Sequence, residues 1–224
     1  MSKKPFTYER TQEDEDFITK AARYAEHIHR DQVRKSIDGS GSTPYFDHLE
    51  HVAKILRDHQ ASTIEIVAGY LHDSVEDQGG DSRALDIKHH FGEQVLEIVL
   101  GCTDSTSTNP DDKKPWEQRK RAYIKGLKSH PVYICRVSAA DKISNMTTTI
   151  ADAENYGPQI LSIFGRSIKD NTLTLAQRRE KTLWYHRSIG DVFKARSKDM
   201  GKISLTYADT FRTFEDTLLA LTVN

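Results

Sequence analysis

Apolar positions recur at intervals of three and four along nearly the whole chain, and strict alternation of apolar and polar residues is almost absent. Phe17, Ala21, Tyr24, Ala25 and Ile28 fall on one helical stripe. The run "TPYFDHLEHVAKIL" repeats the pattern through Leu49, Val52, Ile55 and Leu56, with Pro44 suited to a helix start. "STIEIVAGYLHD" opens with Ser62 and Glu65 at capping-box spacing and stays apolar as far as His72, before Gly79 and Gly80 stop it. A further helix is expected around "EQVLEIVLGC", followed by the polar loop "TDSTSTNPDDKKP" and a new helix from Pro115. "PVYICRVSAADKISNM" carries β-branched residues that permit a strand at 132–137, but Asp141 and Asn145 four apart favour a helix. The last helix, near 204–222, puts Tyr207, Phe211, Phe214 and Leu218 on one stripe. The pattern predicts an all-α chain without repeats or low-complexity linkers.

Composition narrows the class. The 224 residues are 37% apolar and 29% charged, which suits a folded globular chain. A formal net charge of -1 gives no electrostatic reason to expect a nucleic acid polymer or an anionic membrane as partner. Mean hydropathy is -0.64. No apolar stretch approaches the roughly 18 residues that span a bilayer, and "MSKKPFTYERTQEDEDF" lacks the apolar core of a secretory signal. Cys102 and Cys135 sit in apolar stretches without redox or metal spacing, and read as small buried hydrophobes in a reducing cytoplasm.

One stretch concentrates ionisable groups. In "GYLHDSVEDQGG", His72 and Asp73 are followed by Glu76 and Asp77 at the end of an apolar run. On a helix His72 would pair with Glu76 and Asp73 with Asp77, a solvated helix end being the plain alternative to a metal site. A hard divalent cation wants more oxygen and imidazole ligands than two residues supply. His48 upstream and Asp141 downstream could each point inward from an amphipathic helix. The other histidines, His27, His29, His51, His59, His89, His90, His130 and His186, read as solvated or core residues, and Tyr45 as a packing residue.

"TPYFDH", "LHDSVED" and "ADKISNM", in that order, resemble the metal-dependent HD phosphohydrolases, specifically the hydrolase domain of the RelA/SpoT-type alarmone enzymes. "VRKSIDGSGSTPY" and "WEQRKRAYIKGL" strengthen the resemblance, which covers about residues 15–150, and "EKTLWYHRSI" looks like the closing helix of small stand-alone members. The resemblance implies an HD-domain helical bundle over 1–224, with a metal-site core at about 15–150 and a C-terminal helical extension at about 151–224. It implies one divalent ion per chain, usually manganese, held by His48, His72, Asp73 and Asp141. Glu76 and Asp77 match the pair that activates or positions the attacking water. Arg34 and Lys35 match a basic pair beside base and phosphates, and Lys142 and Asn145 match groups lining the nucleotide. Arg119 and Lys120 are candidates for further local positive potential.

The implied activity is cytoplasmic hydrolysis of guanosine 3′,5′-bis(diphosphate), or its pentaphosphate counterpart, to GDP or GTP and pyrophosphate. The chain leaves no room for a synthetase or regulatory modules, which fits a stand-alone hydrolase. Two alternatives stay open: a related phosphohydrolase acting on NADPH or adenosine alarmones, and an inactive alarmone-binding module. Two positions depart from the family pattern. Leu49 follows His48 where many relatives have proline, and Thr147 stands where relatives commonly carry arginine.

Overall fold

The computed structural model describes residues 9–34, 43–107, 112–168 and 172–221. Among the described residues twelve α-helices follow one another: α1 (Gln12–Ile28), α2 (Phe46–Asp58), α3 (Thr63–Leu71), α4 (Ser74–Asp77), α5 (Gly80–Phe91) and α6 (Glu93–Cys102). Then come α7 (Trp116–Ser129), α8 (Val132–Tyr156), α9 (Leu161–Ile168), α10 (Leu175–Ala195), α11 (Ser197–Met200) and α12 (Lys202–Ala220). Among the described residues no strand forms beyond a single bridge between Val33 and Pro44.

The predicted capping box at the start of α3 is present: Ser62 and Glu65 satisfy each other's orphan backbone N–H groups. A second box, Thr11 with Asp14, starts α1. Helix α3 packs against α1, α2, α6 and α8, and Ile66, Val67, Ala68 and Leu71 lie fully inside. That explains its unbroken apolar sequence, since a helix surrounded on every side shows no polar stripe. Gly69 sets how closely α2 approaches. A Cβ there would stand 2.6 Å from Leu56 Cδ1, so the missing side chain lets the helix bearing His48 settle against the one ending at His72.

Residues 132–137 are helical, as the asparagine-aspartate spacing favoured over the β-branched content. Helix α8 runs through the middle of the molecule, with α2, α3 and α6 on one side and α12 on another. Tertiary burial of Ile134, Val137 and Ile143 outweighs their intrinsic β preference. Two expectations need correction. The helix expected to continue to Gly79 ends at Leu71, and α5 fills 80–91, where none was expected. In α5 only Ile87 and Phe91 bury apolar side chains, while Leu85 is 70% exposed, too thin a stripe to read from periodicity. Gly79 (φ +133°) still separates α4 from α5, a conformation that side chains with a Cβ rarely adopt.

The C-terminal helices are not a loose appendage. Helix α12 lies on α8, α10 contacts α7, α9 and α12, and one hydrophobic core runs without a break from Ile18 to Leu218. Tyr207, wholly buried, donates its hydroxyl to the His186 carbonyl at 2.8 Å and meets Phe193 edge to face at 4.9 Å. Cys102 and Cys135 are unpaired thiols. No helix among the described residues is long and apolar enough to cross a membrane.

Helix α6 meets α8 where Gly101 faces Ile134, and a Cβ there would lie 2.7 and 2.8 Å from two Ile134 methyl carbons. Gly101→Val is expected to lower the unfolding free energy by about 1–3 kcal/mol through overpacking. Urea unfolding would read this as a lower midpoint at unchanged slope. A midpoint at or above that of the parent chain would remove the contact from the account.

Candidate active site

Two helices and one helix junction deliver four ionisable side chains to one point. His48 lies in the first turn of α2, His72 directly follows α3, Asp73 directly precedes α4, and Asp141 sits midway along α8. His72 and Asp73, both still in the right-handed helical region, form the turn that joins α3 to α4, and their side chains meet at the cluster. His72 Nε2 is 3.0 Å from Asp73 Oδ2 and 3.6 Å from Asp141 Oδ1. His48 Nε2 is 3.3 Å from Asp141 Oδ1 and 3.8 Å from Asp73 Oδ2. His48, His72 and Asp73 together offer one ligand atom each, all within 4.8 Å of one another.

Each member of this cluster has further partners, and among its buried nitrogens and oxygens only His72 Nε2 is without a hydrogen bond. His72 donates Nδ1–H to the Gly69 carbonyl at 2.8 Å, which turns Nε2 toward the carboxylates, and that buried nitrogen has no hydrogen-bond partner. Tyr45 donates its hydroxyl to Asp73 at 2.5 Å. Lys142 Nζ lies 2.5 Å from Asp141 Oδ2, and Asn145 donates to Asp141 Oδ1 at 2.6 Å. Burial would push His72 down, yet the Asp73 and Asp141 carboxylates hold it well above the ordinary imidazole range. Burial opposes ionisation of Asp141 too, and Lys142 with the two histidines still holds it well below the carboxylate range. His48, by contrast, is lowered, with burial the largest cause. The cluster therefore draws positive charge to its centre. Two imidazole nitrogens and two carboxylates around an unpartnered Nε2 suit a divalent cation of intermediate hardness.

Glu76 and Asp77 follow one turn later, on α4. Lys113 Nζ pairs with Glu76 at 3.2 Å, and Gln32 donates to Asp77 at 2.8 Å. Burial, then the Asp104 and Asp73 carboxylates, raises Glu76; burial, then Asp73, raises Asp77 to about 6. Both acids line the same cavity, about 600 Å³ in volume, as do Asp73 and Asp141. A carboxylate with raised proton affinity beside a water-accessible space is suited to proton transfer.

Of the expected nucleotide contacts, Arg34, Lys142 and Asn145 line this cavity, and Arg34 donates to Asn145 Oδ1 at 3.3 Å. Lys35 lies outside the described residues. Tyr45 packs on His29, as expected, and is also tied to Asp73. Thr147, the departure from the family arginine, is exposed and forms no part of the cavity wall. Lys120 does line it, but Arg119 does not, and Asp104 holds both at 2.5 and 2.6 Å, offsetting much of their charge. The far wall was not foreseen. Thr182, Tyr185 and His186 of α10 and Phe214 of α12 belong to it, and the buried Tyr185 hydroxyl has no hydrogen-bond partner. His186, read as solvated or core, is buried there, and that burial pushes it down to about 3. Asp104 looked like any polar loop residue. The α10 residues carried a weak signal, polar groups at i, i+3 and i+4 inside an amphipathic run.

Residues 21–165 match the HD domain family. The guanosine-3′,5′-bis(diphosphate) 3′-pyrophosphohydrolases of Mus musculus and Homo sapiens are each 36% identical over 132 residues, which is 58% of this chain and 67% of theirs. A solved metazoan orthologue of SpoT, described as hydrolysing ppGpp, superposes with a TM-score of 0.64 at 22% identity. It covers 92% of this chain and 97% of its own, a likeness of fold.

Asp104→Ala would leave Lys120 buried without its counter-charge. The expected loss is about 3–5 kcal/mol of stability, the range for breaking one side of a buried ion pair. Chemical unfolding reads it directly, and a loss well under 1 kcal/mol would contradict a buried pair.

Proposed function

The chain belongs to the HD domain family, and we propose that it is a divalent-metal-dependent hydrolase removing pyrophosphate from the 3′ oxygen of guanosine 3′,5′-bis(diphosphate). The observation that carries this reading is the unpartnered Nε2 of buried His72, facing two carboxylates and a second imidazole at the wall of a cavity that also holds Glu76 and Asp77. His48 and His72, through Nε2, with Asp73 and Asp141, would hold one ion, and manganese suits their mixed nitrogen and oxygen donors. Once bound, such an ion acidifies water and polarises a phosphoryl oxygen. The 36% identity to two named 3′-pyrophosphohydrolases supports the substrate.

The chain's own groups then have distinct tasks. Glu76 or Asp77 takes the proton from the attacking water, whose oxygen bonds to the phosphorus next to the 3′ oxygen. The bond between that phosphorus and the 3′ oxygen breaks, pyrophosphate departs, and the 3′ oxygen takes up the proton held by the acid, restoring the hydroxyl on GDP. Lys113 and Gln32 hold the two acids in place. Arg34 supplies a guanidinium for the anionic substrate and is oriented by Asn145, which also bonds Asp141. A cavity of about 600 Å³ falls in the range of sites that enclose small molecules.

The decisive assay follows what the purified protein releases with manganese: pyrophosphate from ppGpp, pppGpp and their adenosine counterparts, and orthophosphate from NADPH, whose 2′ oxygen carries a single phosphate. Release from the guanosine substrates, abolished by chelation, is expected; turnover of NADPH alone would overturn the substrate. Asp73→Ala should lose bound metal and turnover together. Glu76→Gln should keep the metal while the rate falls by about 10²–10⁴-fold, and metal loss there would instead make Glu76 a ligand.

A further inference from the structure

Ser144 and His51 have no part in the roles assigned so far, yet both bear on the metal site. Ser144 follows Asp141 by one turn on α8, and His51 follows His48 by one turn on α2. The two helices pack together, so the second pair meets directly outside the first. Ser144 Oγ lies 3.0 Å from His48 Nδ1 and 3.0 Å from His51 Nδ1. Ser144 and His48 are 1% and 4% exposed, whereas His51 is half-buried and reaches solvent.

A hydroxyl has one proton, so it cannot donate to both imidazoles at once. At most one ring can accept from Ser144, and the other then donates to a lone pair of its Oγ. We propose that Ser144 is a positioning residue for His48, and that His51 fixes the direction of the Ser144 hydroxyl. This rests on the reading of His48 as a metal ligand. A ligand Nε2 keeps its lone pair free only if the neutral ring carries its proton on Nδ1, which then donates to Ser144 Oγ. Ser144 in turn donates to His51 Nδ1, and the proton of His51 sits on its Nε2.

Reversing the chain reverses the site. If Ser144 donated to His48 Nδ1, the His48 proton would move to Nε2, 3.3 Å from Asp141 Oδ1. It would then occupy the place of the cation with an N–H bond to a ligand carboxylate. The accepting nitrogen of His51 thus favours the tautomer that binds metal. Partners that fix a ligand histidine in this manner are worth about 10–100-fold in metal affinity.

The test measures manganese affinity of the metal-stripped full chain by competition with a chelating dye, and unfolding of the same stripped proteins. Ser144→Ala should bind manganese about 10–100-fold more weakly. Ser144→Thr keeps the hydroxyl and should restore binding. His51→Asn places an amide oxygen where Nδ1 stood and should bind like the parent chain, whereas His51→Leu should bind more weakly. Parent-like manganese affinity in Ser144→Ala would overturn the proposal, even if its stripped form melted earlier. If Ser144→Thr is too crowded to fold, the two His51 variants decide, and equal affinity in both would overturn the part given to His51. A parent chain that binds no manganese would sink the metal reading itself, an outcome distinct from the others.

Discussion

Two carboxylates and two imidazoles gathered around one unsatisfied ring nitrogen, His72 Nε2, form the constraint on which the remaining architecture depends. Ionised groups buried without compensation cost several kcal/mol each. The surroundings answer only part of that demand. Tyr45, Lys142 and Asn145 attend to the carboxylates, and the Gly69 carbonyl and Ser144 attend to the outer ring nitrogens. What is left facing inward is negative and convergent. A chain that only needed stability would be better served by apolar side chains there, so the arrangement makes sense as a receptacle for positive charge.

Holding such a cluster requires rigid elements rather than loops. Helix α3 is buried on all sides, Gly69 lets α2 lie against it, and α8 crosses both with Asp141 on its inner face. His72 and Asp73 lie in the short turn between α3 and α4, where two successive side chains share a target. The acids on α4 inherit their position from the same turn. One turn of helix separates the groups suited to holding an ion from those suited to moving a proton.

Much of this was visible in the sequence because it is carried by short, ordered motifs. His48, His72, Asp73 and Asp141 were chosen from the resemblance of "PYFDH", "HDSVED" and "ADKISN" to a known pattern, and they do meet. Helices with a clear stripe, such as α1, α2 and α12, were also legible, as was the capping box of α3. Helix α5 was not, since two buried apolar residues in twelve make no period. The far wall of the cavity escaped for another reason. Tyr185, His186 and Phe214 reach the site only through the packing of α10 and α12, and no local pattern encodes a contact across more than forty residues. Ser144 and His51 were hidden likewise, each an ordinary residue until α2 and α8 are laid side by side.

The unbroken core from Ile18 to Leu218 also bears on how sequence variation in this chain should be interpreted. A survey that scores variants by activity alone would return Phe193 or Tyr207 beside Asp141, although the Tyr207 hydroxyl bonds the His186 carbonyl and the two rings pack on each other. Harm to the scaffold and harm to the chemistry would look alike in such a map. Pairing each activity score with the abundance of folded protein would pull the two populations apart, leaving a short inventory centred on α2, α4 and α8.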